Sequence, residues 1–353
     1  MKNTYLILAA LLSTVNITAQ DISFEPHTVD DNFAGPGGIY VSDINNDNRA
    51  DILCAGLDAN SIAWWQNTGG ETLTWSKQII DNDFGGAIFV SAGDVDGDGF
   101  TDALGAAYID HELAWWRNDG NDIIQWTKYT IKGSFTQAHE IMLIDLDMDE
   151  DMDVLGVSAG LNTISWFEND GNFPVGWTEH VIVTDFGGAR SVDAKDIDGD
   201  GDIDLVGAAL LDHEIAWWRN DGGNPIQFTK ITINTTFTYA HKVQIVDMDN
   251  DEKEDILGTA YNAGVSWWKN DGVDTVIWDK QFVSNFNAAV IGLAIDADLD
   301  NDRDIVCSAQ TANGKIGIWL NNNEFPIDWD FSYIENNLAE SWPLYYGDLD
   351  NML

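Results

Sequence analysis

The residues whose types and spacing could do chemistry are aspartates. The stretch Asp196-Ile197-Asp198-Gly199-Asp200-Gly201-Asp202-Ile203-Asp204 sets carboxylates at positions 1, 3, 5 and 9 of a short loop. They can all turn onto one point if the backbone bends sharply, and the glycine at position 6 permits that bend. Hard oxygen donors so arranged suit Ca²⁺, which takes roughly six to eight such ligands, better than zinc or copper, which draw on His or Cys.

The pattern recurs. Its copies supply Asp43, Asn45, Asp47 and Asp51; Asp94, Asp96, Asp98 and Asp102; Asp145, Asp147, Asp149 and Asp153; Asp196, Asp198, Asp200 and Asp204; Asp247, Asp249, Asp251 and Asp255; and Asp296, Asp298, Asp300 and Asp304. A seventh begins at Asp348 and Asp350, and successive first aspartates lie 49 to 52 residues apart. A fixed period of this length is the mark of a repeat architecture. Position 12 of the fourth copy is Gly207 rather than the Glu of an EF-hand, so the ninth-position Asp must close the shell and no flanking helices are expected. Copies three, five and six carry Glu150, Glu252 and Asn301 at position 6, where a non-glycine residue must accept positive φ. The same loops without metal would be solvated acidic turns.

The elements that position these loops are short strands. In the second copy, Ala87–Val95, Asp102–Ala107, Glu112–Asn118 and Trp126–Ile131 read as four strands divided by Gly, Asn and Asp, with no long helical periodicity. Four antiparallel strands per repeat of this size make a propeller blade. The pairs Trp64-Trp65, Trp115-Trp116, Trp166-Phe167, Trp217-Trp218 and Trp267-Trp268, with Trp319 in the sixth copy, fall on the third strand. Adjacent strand residues point to opposite faces, so each pair can pack against both neighbouring blades. Trp75, Trp126, Trp177, Phe228, Trp278 and Trp329 open the fourth strand in the same way.

Residues 1–20 read as a secretory signal peptide: Lys2, an apolar run from Tyr5 to Leu12 too short to span a bilayer, and Ile17-Thr18-Ala19 before Gln20. No other transmembrane candidate follows, and the mature propeller is expected over 21–353. An exported or cell-surface location would keep even weak calcium loops loaded. Sixty acids against 16 bases give a net charge of −44, which excludes nucleic acid and anionic lipid as partners because both are bound through basic surface. With 44% hydrophobic residues and 16 Trp the chain has ample core and is no disordered acidic tail. The two cysteines, Cys54 and Cys307, hold the same repeat position, where other copies have Gly105, Gly156, Gly207 and Gly258. Equivalent positions in non-neighbouring repeats should not meet, so two buried free thiols are expected rather than a disulfide.

The combination Phe84-Gly85, Gly93-Asp94-Val95-Asp96-Gly97-Asp98-Gly99-Phe100-Thr101-Asp102 and Leu104-Gly105-Ala106-Ala107 resembles the FG-GAP or VCBS repeat of secreted bacterial proteins, similar to the calcium-bearing blades of the integrin α-subunit. The likeness covers nearly all of the mature chain. Ala107 replaces the family's Pro, and the Phe-Gly pair, intact at Phe84-Gly85 and Phe186-Gly187, becomes Phe135-Thr136 and Phe237-Thr238 in alternate copies. The resemblance implies an all-β, seven-bladed β-propeller of four-stranded antiparallel blades, with calcium loops between the first and second strands. The chain stops inside the seventh loop, so the seventh blade is expected to be truncated. Its first strand falls near 343–347, and its fourth comes from the N-terminal segment 22–29, where Phe24-Glu25-Pro26-His27-Thr28-Val29 resembles Trp177-Thr178-Glu179-His180-Val181-Ile182.

A second, longer period carries other chemistry. Copies two and four share Tyr108-Ile109-Asp110-His111-Glu112 and Leu210-Leu211-Asp212-His213-Glu214; copies three and five share His139-Glu140 and His241-Lys242 after Phe-Thr. Propeller topology places His111 near His139 and His213 near His241, on the end of the blades away from the calcium loops. The candidate ligand contacts there are Tyr108, Asp110, His111, Glu112, His139, Arg190, Asp212, His213, Glu214, Tyr239 and His241. Against this stands a plain reading in which duplication copied loop residues that satisfy backbone groups. There is no GxSxG, HExxH or phosphate loop. The sequence therefore points to a secreted calcium-binding propeller acting as a binding or adhesion module for an extracellular glycan or protein. The alternative is a polysaccharide lyase or other carbohydrate-active enzyme using these histidines as bases.

Overall fold

The computed structural model describes residues 24, 26–70, 73–272, 277–311, 313–322, 326–338, 343–347 and 349. The leader at 1–20, Asp348 and Asp350 lie outside the described residues, as do 22, 23 and 25 of the N-terminal segment. Among the described residues there are 24 strands in six four-stranded antiparallel sheets, each following chain order. The fold is thus an all-β, six-bladed β-propeller, which corrects the expectation of seven blades with a truncated seventh. Two observations explain the difference. β24 is consumed as the fourth strand of the sixth sheet, and residues 343–347, read as the opening strand of another blade, form no strand. In the N-terminal segment, His27 makes one isolated bridge.

Three blades make up one compact unit, Phe24–Asp185 with the segment from Tyr345. They are β1 (Pro36–Ser42), β2 (Asp51–Gly56), β3 (Ser61–Asn67) and β4 (Trp75–Asp81); β5 (Ala87–Gly93), β6 (Asp102–Ala107), β7 (Glu112–Asn118) and β8 (Trp126–Lys132); and β9 (Ala138–Ile144), β10 (Asp153–Ser158), β11 (Thr163–Asn169) and β12 (Trp177–Val183). The other unit, Phe186–Leu344, holds the remaining three. These are β13 (Ala189–Lys195), β14 (Asp204–Ala209), β15 (Glu214–Asn220) and β16 (Phe228–Asn234); β17 (Ala240–Val246), β18 (Asp255–Ala260), β19 (Gly264–Asn270) and β20 (Trp278–Ser284); and β21 (Ala289–Ile295), β22 (Asp304–Ala309), β23 (Gly314–Asn321) and β24 (Trp329–Leu338).

The second strand of every blade is buried along its whole length, and the third nearly so, while the fourth alternates toward solvent. That gradient is why the third strand can carry paired aromatics. Trp64 joins a core with Phe84 and Trp116 of the next blade, whereas its neighbour Trp65 packs on Phe33 and Leu349. The same division recurs in the second unit, where Trp217 joins Phe237 and Trp268, and Trp267 joins Phe286 and Trp319. A phenylalanine meets the second aromatic edge-on in every blade: Phe33 on Trp65, Phe84 on Trp116, Phe135 on Phe167, Phe186 on Trp218, Phe237 on Trp268 and Phe286 on Trp319, at 4.9 to 5.7 Å between centroids. Edge-to-face geometry at such distances favours the aromatic quadrupoles. Cys54 and Cys307 are free and buried, the outcome expected from the sequence, although with six blades rather than seven the first and sixth repeats no longer count as non-neighbours.

Candidate functional site

Each aspartate loop is the hairpin between the first and second strands of its blade. Ser42 pairs with Asp51, Gly93 with Asp102 and Lys195 with Asp204, so position 9 is the first residue of the second strand rather than part of the turn. The loop turns through left-handed backbone at two positions, four and six, in every copy. Gly97 and Gly99 do this with φ of 71° and 86°, Asn46 and Asn48 with 58° and 61°, and Met148 and Glu150 with 58° and 77°. Asn250 and Glu252, and Leu299 and Asn301, adopt the same conformation without glycine. Copies one, three, five and six therefore keep the loop shape despite a local cost of about 1 kcal/mol per non-glycine residue.

Inside the loop, the first aspartate caps the turn: Asp94 accepts from the backbone N–H of Asp98 (3.0 Å) and Gly99 (2.7 Å), and Asp43 accepts likewise from Asp47 and Asn48. The ninth aspartate is fully buried and accepts two more backbone hydrogen bonds, Asp102 from Val95 (3.0 Å) and Asn118 (2.7 Å). Burial raises its pKa, against the pull of those hydrogen bonds: to about 8 for Asp102, about 7 for Asp153, Asp204, Asp255 and Asp304, and about 6 for Asp51. Third-position carboxylates complete the cluster. One oxygen each from Asp94, Asp96 and Asp102 lie within 4.8 Å of one another, and the same holds for Asp145, Asp147 and Asp153 and for Asp196, Asp198 and Asp204. In copies five and six the groups are Asp247, Asp249 and Asp251, and Asp296, Asp298 and Asp300.

These aspartate clusters fit a metal ion. Oδ1 of Asp96, of Asp147 and of Asp249 is buried without a hydrogen-bond partner, although the Asp96 side chain is only 2% exposed. A buried unpaired carboxylate oxygen among other carboxylates is costly unless a cation neutralises it. Asp302, at position 7 of the sixth loop, extends the pattern: it is 2% exposed and neither oxygen has a partner. Sequence reasoning missed it because position 7 varies, being Arg49, Phe100, Asp151, Asp202 and Lys253 in the other loops.

A second residue that sequence reasoning missed is the asparagine closing each third strand. Asn118 donates its backbone N–H to Asp102, and its side-chain Nδ2 to Thr101 O and to Ile44 O of the preceding loop (both 3.0 Å). Asn169 ties Asp153 to Val95 O in the same way, and Asn67 reaches Leu349 O at 2.8 Å. Its recurrence at Asn67, Asn118, Asn169, Asn220, Asn270 and Asn321 was a legible signal.

At the other end of the blades the predicted contacts divide into two groups. His111 and His213 sit in turns with φ of 59° and 58°, and each Nδ1 accepts a backbone N–H at 3.0 Å, from Gln137 and Tyr239. With Nδ1 accepting, the ring proton lies on Nε2; the same Nδ1 also lies 3.0 Å from a carbonyl, Tyr108 O or Leu210 O, to which it would donate in the other tautomer. In the first blade Asn60 Oδ1 does the same job for Gly86 N–H at 2.8 Å, so imidazole is more than the turn requires. Tyr239 itself has φ of 60° where Gly86 and Gly188 stand in other copies, and its ring meets His213 edge-on at 4.9 Å. Ile109 and Leu211, two residues before each histidine, are 61% and 62% exposed.

The other predicted contacts serve the fold. Asp110 and Asp212 accept from Gly85 and Gly187 N–H; Glu112 holds Lys128 (2.9 Å) and Thr130 (2.6 Å); Glu214 holds Lys230 (3.0 Å) and Thr232 (2.8 Å). Tyr108 is half-buried, its carbonyl 3.0 Å from His111 Nδ1. His139, Arg190 and His241 fall where the register slips between the first and second strands, and such a bulge re-aims the side chain. His139 and His241 are each 5% exposed, and burial beside Arg190 and Lys242 lowers His241 to about 3. So each histidine of the surface turns meets the residue two before its expected partner, and the partner histidine is interior.

Blades of four antiparallel strands, each with an aspartate hairpin between its first two strands, define a β-propeller built on one repeated unit. The FG-GAP-like repeat family model matches residues 43–105, 145–207 and 196–258, and the chain belongs to that family. Among solved structures, the fold is similar to a lectin from Agrocybe aegerita described as specifically recognising non-reducing terminal N-acetylglucosamine, at 16% identity and a TM-score of 0.62 over 90% of this chain and 87% of that one. It is also similar to a protein from Lactobacillus plantarum, at 10% identity and a TM-score of 0.62 over 92% and 91% of the two chains. No curated protein matches the chain. No helix among the described residues is long and apolar enough to cross a membrane.

Proposed function

We propose that the protein is a secreted, calcium-stabilised binding module that takes an extracellular glycan on the paired turns His111/Gln137 and His213/Tyr239. One observation carries this reading. His213 and Tyr239 face each other in left-handed backbone conformations that several other blades fill with Asn or Gly, which sets an imidazole, an Nε2–H donor when Nδ1 accepts, beside an aromatic ring and the exposed Leu211. Strain retained at adjacent bulky residues is a feature of functional turns. A donor next to an apolar face is also what a pyranose ring, with polar rim and C–H faces, requires. The turn of His111, with Ile109 and Gln137, repeats the donor and the apolar neighbour, and two weak sites on one chain suit a multivalent ligand.

The structural likeness to a lectin supports this reading at the level of fold. Calcium is the cation assigned to the aspartate loops because their donors are all oxygens and are more than magnesium's small octahedral shell would draw from protein. Its role is structural, neutralising carboxylates that would otherwise repel. The lyase reading is not favoured: the buried His241, lowered to about 3, is too weak a base for proton abstraction near neutral pH.

The test is a glycan array on the full chain in millimolar calcium, repeated with a His213→Ala/Tyr239→Ala double variant. Binding that the variant weakens, with no unsaturated or newly reducing products, supports the module. Degradation of a polysaccharide, or binding indifferent to both turns, overturns it.

A further inference from the structure

The six loops are alike in sequence, but not in what stands beside them. The residue just before the closing asparagine of the third strand is Gln66, Arg117, Glu168, Arg219, Lys269 and Leu320 in blades one to six. In the second loop the Arg117 guanidinium pairs with both Asp96 and Asp98, the third- and fifth-position carboxylates. In the fifth, Lys269 pairs with Asp249 and, at 2.7 Å, with Asp251. In the fourth, Arg219 turns away and pairs with Asp221 at 2.7 Å, outside the metal cluster. Glu168 in the third adds negative charge and engages His180 at 2.7 Å.

Resting on the reading of these loops as calcium sites, we propose that Arg117 and Lys269 are tethered counter-ions that a divalent cation must displace, so that loops two and five fill last. Their charged ends occupy the carboxylates a metal would use. The metal cannot replace them for free, because it loses the attraction it interrupts and meets a like charge held a few ångströms away. Asp96 Oδ1 and Asp249 Oδ1, which stay buried and unpaired beside the tether, mark the space the metal takes; the two side chains are 2% and 9% exposed. A released Arg117 has a resting place already in contact, since its guanidinium lies 4.9 Å from the Phe173 ring. In loop one Arg49 pairs with the fifth-position Asp47 alone, leaving the third position, Asn45, without a cation, and loops three, four and six carry no such tether among the described residues. The consequence is a graded response: a framework loaded at low calcium, and two loops that load only as calcium rises.

Calorimetric titration of calcium into the chelator-stripped full chain tests this, with Arg117→Gln, Lys269→Gln and Arg219→Gln alongside. Wild type is expected to show a tight class of sites and a weaker one. Arg117→Gln and Lys269→Gln should each move one site from the weak class to the tight class, with affinity raised about tenfold at low salt and less at high salt. Arg219→Gln should change little. In chelator, Arg117→Gln should also melt earlier than wild type, having lost its counter-ion, and regain parity in calcium. Calcium uptake by the wild type that both Gln variants leave unaltered overturns the tether. No uptake at all overturns the metal reading itself, and the tether with it. Should one variant fail to fold, the other decides.

Discussion

The two ends of each blade have been copied under different rules. At the aspartate hairpin, left-handed backbone at positions four and six and a buried ninth aspartate persist in all six copies even where glycine has been lost, as at Glu150 and Glu252. At the opposite turn the backbone geometry persists through blades one to four but its residues alternate: Asn60, His111, Asn162 and His213. A feature held in every blade despite strain serves what all blades share, which is closing a hairpin around repelling carboxylates. A feature held in alternate blades serves something the fold does not need.

Metal removal puts the greatest strain on that contrast. If the hairpin end is built on bound cations, chelation should lower the melting temperature by about 10 °C or more, because each tightly held ion contributes several kcal/mol by mass action. Calorimetry in calcium and in chelator measures it, and coincident melts would erase the distinction between the two ends.

Next in size is the closing asparagine. Asn118→Ala removes two side-chain hydrogen bonds that join its own loop to Ile44 O of the loop before, and leaves buried carbonyls unpaired. It should cost about 2–4 kcal/mol with or without calcium. Asp198→Ala should instead cost stability in calcium and little in chelator, if the aspartate cluster to which Asp198 belongs holds a cation as proposed. Denaturant melts of the two variants in both conditions separate scaffold from ligand, and equal loss of Asp198→Ala in both would remove loop four from the metal set.

Acidity gives a third handle. In the metal-free protein the ninth-position aspartates are raised from 3.8 to between about 6 and about 8. Between those limits the folded state holds more protons than the unfolded, so stability is greatest below pH ~4 from this source and falls as pH rises toward ~8. His241, lowered to about 3, works oppositely below pH ~6.5, but it is one group against six. Chelated protein should therefore melt progressively earlier between pH 5 and pH 8, roughly, and calcium should flatten that slope. A chelated melt that rises with pH across this range would mean the carboxylates are already paired.

The hairpin end was the more legible of the two, for a physical reason. Its ligands lie within nine residues, so spacing alone shows them converging, and a period of 51 residues repeats the message. The blade count was not legible, because the start of a seventh loop at Asp348 looks like the start of a seventh blade while 343–347 form no strand. Nor was the burial of His139 and His241: a one-residue bulge beside Ala138 and Ala240 re-aims each, and a bulge leaves no compositional mark. Asp302 escaped because the same position holds Arg49 and Phe100 elsewhere, and only its unpaired oxygens reveal its direction.

The smallest expected change in stability is the sharpest test of the turn end. His213→Asn keeps an acceptor for the Tyr239 N–H, the bond that Asn60 makes to Gly86 in the first blade, and Asn tolerates left-handed backbone well. Stability should stay within about 0.5 kcal/mol of wild type. What is lost is the Nε2–H donor beside the Tyr239 ring, so affinity for the glycan should fall about tenfold, the worth of one good hydrogen bond. Surface plasmon resonance of the variant against the ligand found by the array measures this. Undiminished affinity with an intact fold would mean that the imidazole is only an ornate asparagine and that alternation at this end records duplication alone.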